Sequence, residues 1–431
     1  MNISAGLSWV ALAVAAFVPS ACSPDSSNAT EWDGSIADSA GVELVRNGGT
    51  PLWGESNGWI FSEVLKIGVP EGDPNYMFGR LTAGAVLSDG SIVVADGMAQ
   101  QLRFFRPDGH WEKTVGRAGA GPGEFGSGGL DILVGPDDTL LVLDREHQRA
   151  NRMAPQGTWL DSWGFGVEDG WMVRAWDDAA TGRIVTHMAR MPGMEAGESD
   201  TLDFVVVRDL SGEKGDTVGV VPASRLRRVT GERMRFYLYA GEPQVSLCSD
   251  NSVVTGRGDR YEIKRYDRSG SLEQVVTLGR PNTPITQDDR TFLRERFKQI
   301  YLENGFTPER VEELLAAMHF TETYPAFVTL QCGPRGSIWV QPTRPVSALS
   351  QEEREEFWVG PDAEAAGHFD VFDRQGRYLG VVQLPAGFWP KGRFRGDHII
   401  GRWTDSLGVE YVKVLEVEGL PPLEQTELPG T

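Results

Sequence analysis

Cysteine is nearly absent from this chain: three residues in 431, at positions 22, 248 and 332, so cysteines do not define the fold. Histidine is also sparse, with six residues at 110, 147, 187, 319, 368 and 398 that stand alone in the sequence. Isolated imidazoles give no reason to expect a histidine-built metal centre, which needs several converging on one point. Basic residues are outnumbered 41 to 61, for a formal charge of −20. A field of that sign repels phosphate backbones and excludes general nucleic-acid binding. No Gly-x-Ser-x-Gly elbow lies between a strand and a helix, so the usual nucleophile of an α/β hydrolase is missing. The one sustained apolar run, Leu7 to Val18, is too short for a comfortable membrane span.

What the chain has is glycine (52 residues), tryptophan (13) and a hydrophobic pattern that returns six times around a short polar turn. The copies read VLSDGSIVVAD, LVGPDDTLLVLD, DDAATGRIVTH, SLCSDNSVVTG, LQCGPRGSIWV and FRGDHIIGRW. With Gly90, Asp138, Gly182, Asn251, Gly336 and Asp397 as markers, the intervals are 48, 44, 69, 85 and 61 residues. Repeats of about 40–50 residues, each with several short strands, mark β-propeller blades. The first repeat offers four strands in LTAGAVL, SIVVAD, QLRFFRPDG and WEKTVGR, and the second repeats the set. The expected fold is all-β, a six-bladed β-propeller in one domain over residues 41–420.

The sixth repeat is short of a strand, whereas GVELVRNG (Gly41 to Gly48) near the other end has no assigned place. Open sheet edges invite aggregation, so the N-terminal segment is expected to close the last blade as its outermost strand. The stretch from Thr286 to Met318 breaks the β pattern and explains the longest interval. Apolar positions at helical spacing (Val311, Leu314, Leu315, Met318), N-caps at Thr286 and Thr307, and Pro308 at a first helical position predict a helical hairpin. Packing on the rim and a lid over the central channel are both open for it.

Residues 1–21 hold no charged side chain and read as a signal peptide. They end in Val18-Pro19-Ser20-Ala21-Cys22, which resembles a bacterial lipobox and makes Cys22 the lipidation candidate, with plain secretion as the alternative. The match departs from the pattern in lacking Lys or Arg before the apolar run and in carrying Pro19. Residues 22–40 then read as a flexible lipidated tether and 421–431 as a C-terminal tail. Cys248 and Cys332 precede the turns of consecutive repeats but sit one residue out of phase. One residue along a strand reverses the face, so two buried free thiols are expected, although an oxidising envelope would permit a disulfide.

VGRAGAGPGEFGSGGL (Val115 to Leu130) resembles the Gly-rich loop of NHL repeats, which links the outer strand of one blade to the inner strand of the next. DSAGVELV, EGDPNYMFGRL, TYPAFVTL with GSIWV, FDVFDRQGRYLG and DSLGVEYVKV extend the likeness from about residue 38 to 418. Together they are similar to a family of bacterial six-bladed propeller proteins of cell envelopes, many with lipoprotein-type N-termini. The resemblance implies a fold and an envelope location; the family has no general assigned activity.

Two enzyme groups on related propellers define the alternative function. Gluconolactonase-like hydrolases hold a divalent cation with Glu, Asp and two Asn near the axis, and amidating lyases use a histidine-held zinc. Asn is scarce here, no evenly phased Glu/Asn/Asn/Asp set exists, and the histidines fall at different blade phases. No catalytic residue, metal ligand or cofactor is therefore assigned. One local charge anomaly remains: Arg225, Arg227, Arg228, Arg233 and Arg235 cluster inside an acidic chain. They could form an anion site for carboxylate, phosphate or an acidic glycan, or pair with the protein's own carboxylates. Arg145, Arg149 and Arg152 carry the same ambiguity, and Trp53/Trp59 and Trp171/Trp176 are stacking pairs or blade packing. The expected function is that of a monomeric envelope lipoprotein, held at the membrane by its lipid, that binds a protein, peptide or glycan.

Overall fold

The structure, a computed structural model, describes residues 32–54, 58–168, 171–178, 182–190, 202–223, 227–230, 233–355, 357 and 365–420, with backbone alone at 167–168, 171–172, 174–176, 178, 190, 214, 222, 227–230 and 233–236. The expected signal segment with Cys22, Arg225 and the expected tail at 421–431 lie outside the described residues.

Three strands precede the first blade: β1 (Ser35–Ser39), β2 (Val42–Asn47) and β3 (Ile60–Ile67). Blade 1 holds β4 (Leu81–Val86), β5 (Ile92–Asp96), β6 (Gln101–Phe105) and β7 (Trp111–Val115). Blade 2 holds β8 (Leu130–Val134), β9 (Leu140–Asp144), β10 (Arg149–Met153) and β11 (Trp159–Gly164). In blade 3 a short β12 (Val167–Glu168) precedes β13 (Trp171–Asp178), β14 (Arg183–Arg190), β15 (Leu202–Asp209) and β16 (Lys214–Pro222). A hairpin of β17 (Arg227–Thr230) and β18 (Arg233–Leu238) leads to blade 4, with β19 (Gln244–Leu247), β20 (Val253–Gly256), β21 (Glu262–Tyr266) and β22 (Leu272–Leu278). The insertion follows as α1 (Gln287–Glu303), α2 (Pro308–Ala316) and β23 (Met318–Phe320). Blade 5 has β24 (Phe327–Cys332) and β25 (Ile338–Pro342), then α3 (Gln351–Glu355), then β26 (His368–Phe372) and β27 (Tyr378–Gln383). Blade 6 has β28 (Phe388–Pro390), β29 (His398–Thr404) and β30 (Glu410–Glu418).

Alternation along the strands makes the ring. In β5, Ile92 and Val94 pack against blade 6, while Val93 and Ala95 pack against blade 2. In β25, Ile338 and Val340 face blade 4 and Trp339 faces blade 6. Each strand is therefore apolar on both faces, as a sheet sandwiched between two others must be. The result is one hydrophobic cluster at each of the six contacts between neighbouring blades.

All six repeated turns connect the first strand of a blade to its second, so they share one face of the ring. Left-handed residues shape them, among them Asn251 (φ 64°) and Asp138 (φ 54°). The second-to-third strand loops and the links between blades share the opposite face.

The ring closes through the N-terminal segment, but not through the strand first suspected. β3 pairs with β30 as the outermost strand of blade 6. GVELVRNG instead forms β2, which adds in parallel to β22 at the outer edge of blade 4. The tether boundary also moves, because Ser35–Ser39 forms β1 against β2. Every residue of β1 is exposed, so no hydrophobic pattern betrays it; the Ala40-Gly41 turn (φ 56° and 85°) sets the hairpin. Between β2 and β3, the amides of Leu52 and Trp53 donate to Tyr378 O and Leu379 O at 3.2 and 2.9 Å. The segment thus crosses the outer edges of blades 4, 5 and 6. Asn47 fastens it: its Nδ2 donates to Thr277 O and Gly376 O, and its Oδ1 accepts from Tyr378 N and Trp32 Nε1.

The cysteines form a disulfide, Cys248–Cys332, with Cα atoms 5.3 Å apart, correcting the expectation of free thiols. The one-residue phase difference does reverse the face. Opposite faces of consecutive blades, however, are the faces that meet, so the offset points the two side chains at each other.

The helical hairpin forms where its caps place it. Thr286 accepts from Asp289 N while Asp289 accepts from Thr286 N, and Thr307 caps α2 ahead of Pro308. Leu293 of α1 is buried with Ile285, Tyr324, Val346, Leu349 and Phe357. β23 pairs in parallel with β18, tying the insertion to the link between blades 3 and 4. Hairpin, helices and the α3 segment all stand on the face opposite the six turns.

Candidate functional site

The first strands of the blades line the central channel, and their side chains alternate between packing and the axis. Polar residues sit at the axial positions of otherwise apolar strands: Thr82 in β4, Asp131 in β8, and Thr329 and Gln331 in β24. Together with Trp389, Lys391 and Arg393 after β28, they enclose a cavity of about 280 Å³.

The wall from blade 6 depends on a glycine. Gly84 N donates to Lys391 O at 2.8 Å, and a Cβ at Gly392 would lie 2.2 Å from Gly84 O. Only glycine lets the chain run this close to β4, and that approach sets Trp389, Lys391 and Arg393 at alternate positions along the cavity.

Ion pairs mark both ends. Arg393 reaches Asp177 of blade 3, diametrically across a ring of six, with Nε–Oδ1 2.6 Å. Asp177, 1 % exposed, also accepts from the Ser246 hydroxyl and from Leu247 N at 3.0 Å. Ser246 Oγ in turn accepts from Cys332 N at 3.0 Å, so one carboxylate anchors blades 3, 4, 5 and 6 around the axis. Toward the opposite face, Arg145 Nε donates to Asp131 Oδ2 at 2.8 Å.

Between these pairs lie two buried amides. Gln341 is 5 % exposed, and its Nε2 donates to Ala366 O at 2.8 Å. Gln331 is 2 % exposed and lines the cavity, onto which its side-chain amide opens.

A second polar cluster joins blades 4 and 5. Asp370, with no solvent exposure, accepts from Tyr261 Oη at 2.8 Å and Tyr378 Oη at 2.9 Å, and from Arg280 at 2.7 and 3.3 Å. Burial, reinforced by the neighbouring carboxylate, pushes both tyrosine hydroxyls well above their ordinary range. Burial also lowers the pKa of nearby His368 from 6.5, outweighing the attraction of Asp370. Among the described residues these side chains bond to one another, Arg280 also reaching Tyr378 Oη at 3.2 Å, and the cluster braces the two blades.

The residues singled out from sequence scatter. Arg227, Arg228, Arg233 and Arg235 lie on β17 and β18, on the insertion-bearing face, and are described by backbone alone. The register pairs Arg228 with Arg235 and Thr230 with Arg233, placing positions 228, 233 and 235 on one side of the hairpin. Of the second arginine group, Arg145 reaches the cavity, Arg149 donates to the carbonyls of Ala120, Gly121 and Glu124, and Arg152 pairs with Asp161. Trp53 and Trp59 pack at 5.1 Å and continue onto Trp339, as blade packing.

The histidines sit in five blades and the insertion. His187 pairs with Asp203 at 2.8 Å, His147 with Asp144 at 2.7 Å, and His319 stacks on Tyr237. Among the described residues no group of three or more His, Cys, Asp or Glu could hold a metal ion. Among the described residues, the channel carboxylates Asp131 and Asp177 face guanidinium groups. Sequence reasoning missed Gln331, Lys391, Arg393 and Asp177, although a polar residue at an axial position of a first strand is a usable signal.

Solved structures similar in fold include a Bacteroides fragilis protein assigned as exported, 11 % identical, covering 87 % of this chain and 99 % of its own, with TM-score 0.47. A member of the DUF4221 family from Bacteroides vulgatus is 10 % identical, covering 84 % and 98 %, with TM-score 0.46. A calcium-binding regucalcin from Agrobacterium tumefaciens is 10 % identical, covering 80 % and 93 %, with TM-score 0.39. No protein-family model and no curated protein matches the chain.

Proposed function

We propose that this chain is an exported binding module whose ligand enters the central channel from the insertion-bearing face. One observation carries the reading: polar side chains at axial positions of the first strands, Thr82, Asp131, Thr329 and Gln331, line a channel cavity of about 280 Å³ in a ring whose large insertions all stand on one face. Binding sites concentrate on loops held by a rigid scaffold, and concave pockets with a few converging polar groups are where ligands bind. The arginine hairpin β17–β18 stands on the same face and would extend the site toward anionic ligands.

Export is part of the proposal. The uncharged apolar run before Cys22 supports it, and a Cys248–Cys332 disulfide suits an oxidising compartment. Lipidation at Cys22 predicts labelling of the chain by fatty acid in cells and its loss in Cys22→Ala; equal labelling of both would remove the anchor. The metal-dependent alternative gains no support from the channel, where a divalent cation would compete with Arg145 and Arg393 for their carboxylates.

The test is capture from envelope extract by wild type and by Thr329→Trp, which fills the cavity wall. The account expects a captured ligand that Thr329→Trp loses while its melting temperature stays within a few degrees. Capture unaffected by that substitution would place the ligand elsewhere and end this reading.

A further inference from the structure

A second pocket opens on the insertion-bearing face, and we infer that it takes a neutral sugar ring at the end of a glycan. It shares no lining residue with the channel cavity, so the inference goes beyond the channel reading and stands apart from it. The pocket holds about 420 Å³, within the ordinary range of small-molecule sites. It exists because of the insertions: β18 and the link to β19 form one wall, the β20–β21 loop a second, and the segment from Phe320 to Pro325 a third.

The walls are tied to one another. Asn282 Nδ2 lies 3.0 Å from each of the carbonyls of Gly258, Asp259 and Tyr324, and Ala326 N donates to Gly258 O at 2.7 Å. Parallel pairing of β18 with β23 sets Tyr237 beside His319, and the two rings stack at 5.3 Å. A site braced in this way loses little freedom when a ligand arrives.

The lining joins aromatic rings to polar groups. Tyr239 and Tyr324, 7 % and 1 % exposed, pack edge to face with centroids 4.6 Å apart, while Tyr237 and Phe320 are half-buried. Asp259, Asn282, Thr321, Glu322 and Thr323 share the same pocket. A sugar ring uses both surfaces: its C–H face packs on an aromatic ring, and its hydroxyl edge gives and receives hydrogen bonds. Carboxylates only accept, and bonds to them are the stronger kind. A wholly apolar ligand would bury those polar groups without partners.

Charge decides against an ion. Among the described residues the lining carries two carboxylates and no Lys, Arg or His, which disfavours an anion. A cation meets groups already engaged. Arg257 pairs with Asp259, and the guanidinium groups of Arg290 and Arg294 lie over the Phe320 ring at 5.4 Å.

The test is binding of the full, disulfide-bonded chain to an array of neutral oligosaccharides, then calorimetric titration with the best-bound of them and with choline. The oligosaccharide is expected to bind, with choline at least about tenfold weaker. Tyr237→Ala should weaken the oligosaccharide by about tenfold or more, whereas Tyr237→Phe, which keeps the ring, should bind as wild type does. Glu322→Lys, at an exposed position, should weaken it too and does not depend on how Tyr237 packs against His319.

An array on which no neutral oligosaccharide is retained would overturn the inference. Choline binding as tightly as the oligosaccharide would overturn it in favour of a cation site. Binding left unchanged by either folded variant, Tyr237→Ala or Glu322→Lys, would place the sugar elsewhere and reject this pocket. Loss in Tyr237→Phe as large as in Tyr237→Ala would credit the hydroxyl and remove the stacking platform.

Discussion

Asp370 shows how much one buried residue can brace. Its two oxygens receive Tyr261, Tyr378 and both terminal nitrogens of Arg280, joining blade 4 to blade 5. Removing the acid leaves two buried hydroxyls and a guanidinium without their acceptor, and breaking such a cluster costs about 3–5 kcal/mol. Chemical denaturation of Asp370→Ala should show a loss of that order, and a loss below about 1 kcal/mol would contradict the brace. His368 beside it sets a pH window. Its folded pKa lies below 6.5, so as the pH falls through 6.5 the unfolded chain takes up a proton that the folded one does not. Its contribution is complete above pH 6.5 and declines with acidification toward the folded pKa. The denaturation midpoint should fall between pH 7 and 5.5, and less so in His368→Gln; an identical slope in both would exclude this residue. Neither residue stood out in the sequence, because the network brings together positions 261, 280, 370 and 378 from two blades.

At the scale of elements, local signals were legible and destinations were not. Caps and spacing predict α1 and α2 because those interactions lie within a few residues of one another. GVELVRNG reads as a strand for the same reason, yet nothing local says that it joins β22 and not β30. The closing strand, IFSEVLKI, went unread, its alternation broken by a bulge between Glu63 and Leu65. The disulfide turned on geometry between blades, where a one-residue offset favours contact. It encloses 84 residues of sequence separation, including the whole helical insertion. A cross-link of that span stabilises by about 2–5 kcal/mol, chiefly by restricting the unfolded chain. Cys248→Ser/Cys332→Ser should lose about that much in denaturant titration. It should also raise amide exchange in β19 and β24, and unchanged exchange there would show that the bridge does not staple the two blades.

For the whole molecule, the ring was readable because a six-fold repeat of turns and apolar strands is written along the chain. The channel site was not, because its wall comes from β4, β8, β24 and the segment after β28, more than 300 residues apart at the extremes. Polar residues on first strands looked like ordinary interruptions until the ring pointed them at one axis. The insertions reinforce the asymmetry of the two faces: short turns on one, β17–β18, the helices and the α3 segment on the other. The proposed binding belongs to the insertion-bearing face. Hydrogen exchange of the full chain, with and without the ligand fraction eluted from envelope capture, tests this most directly. The account predicts protection at 145–148, 257–261, 329–332 and 388–393, with the turns at 88–91, 249–251 and 334–337 unchanged. Protection confined to those turns, or to the outer strands β1 and β2, would contradict it.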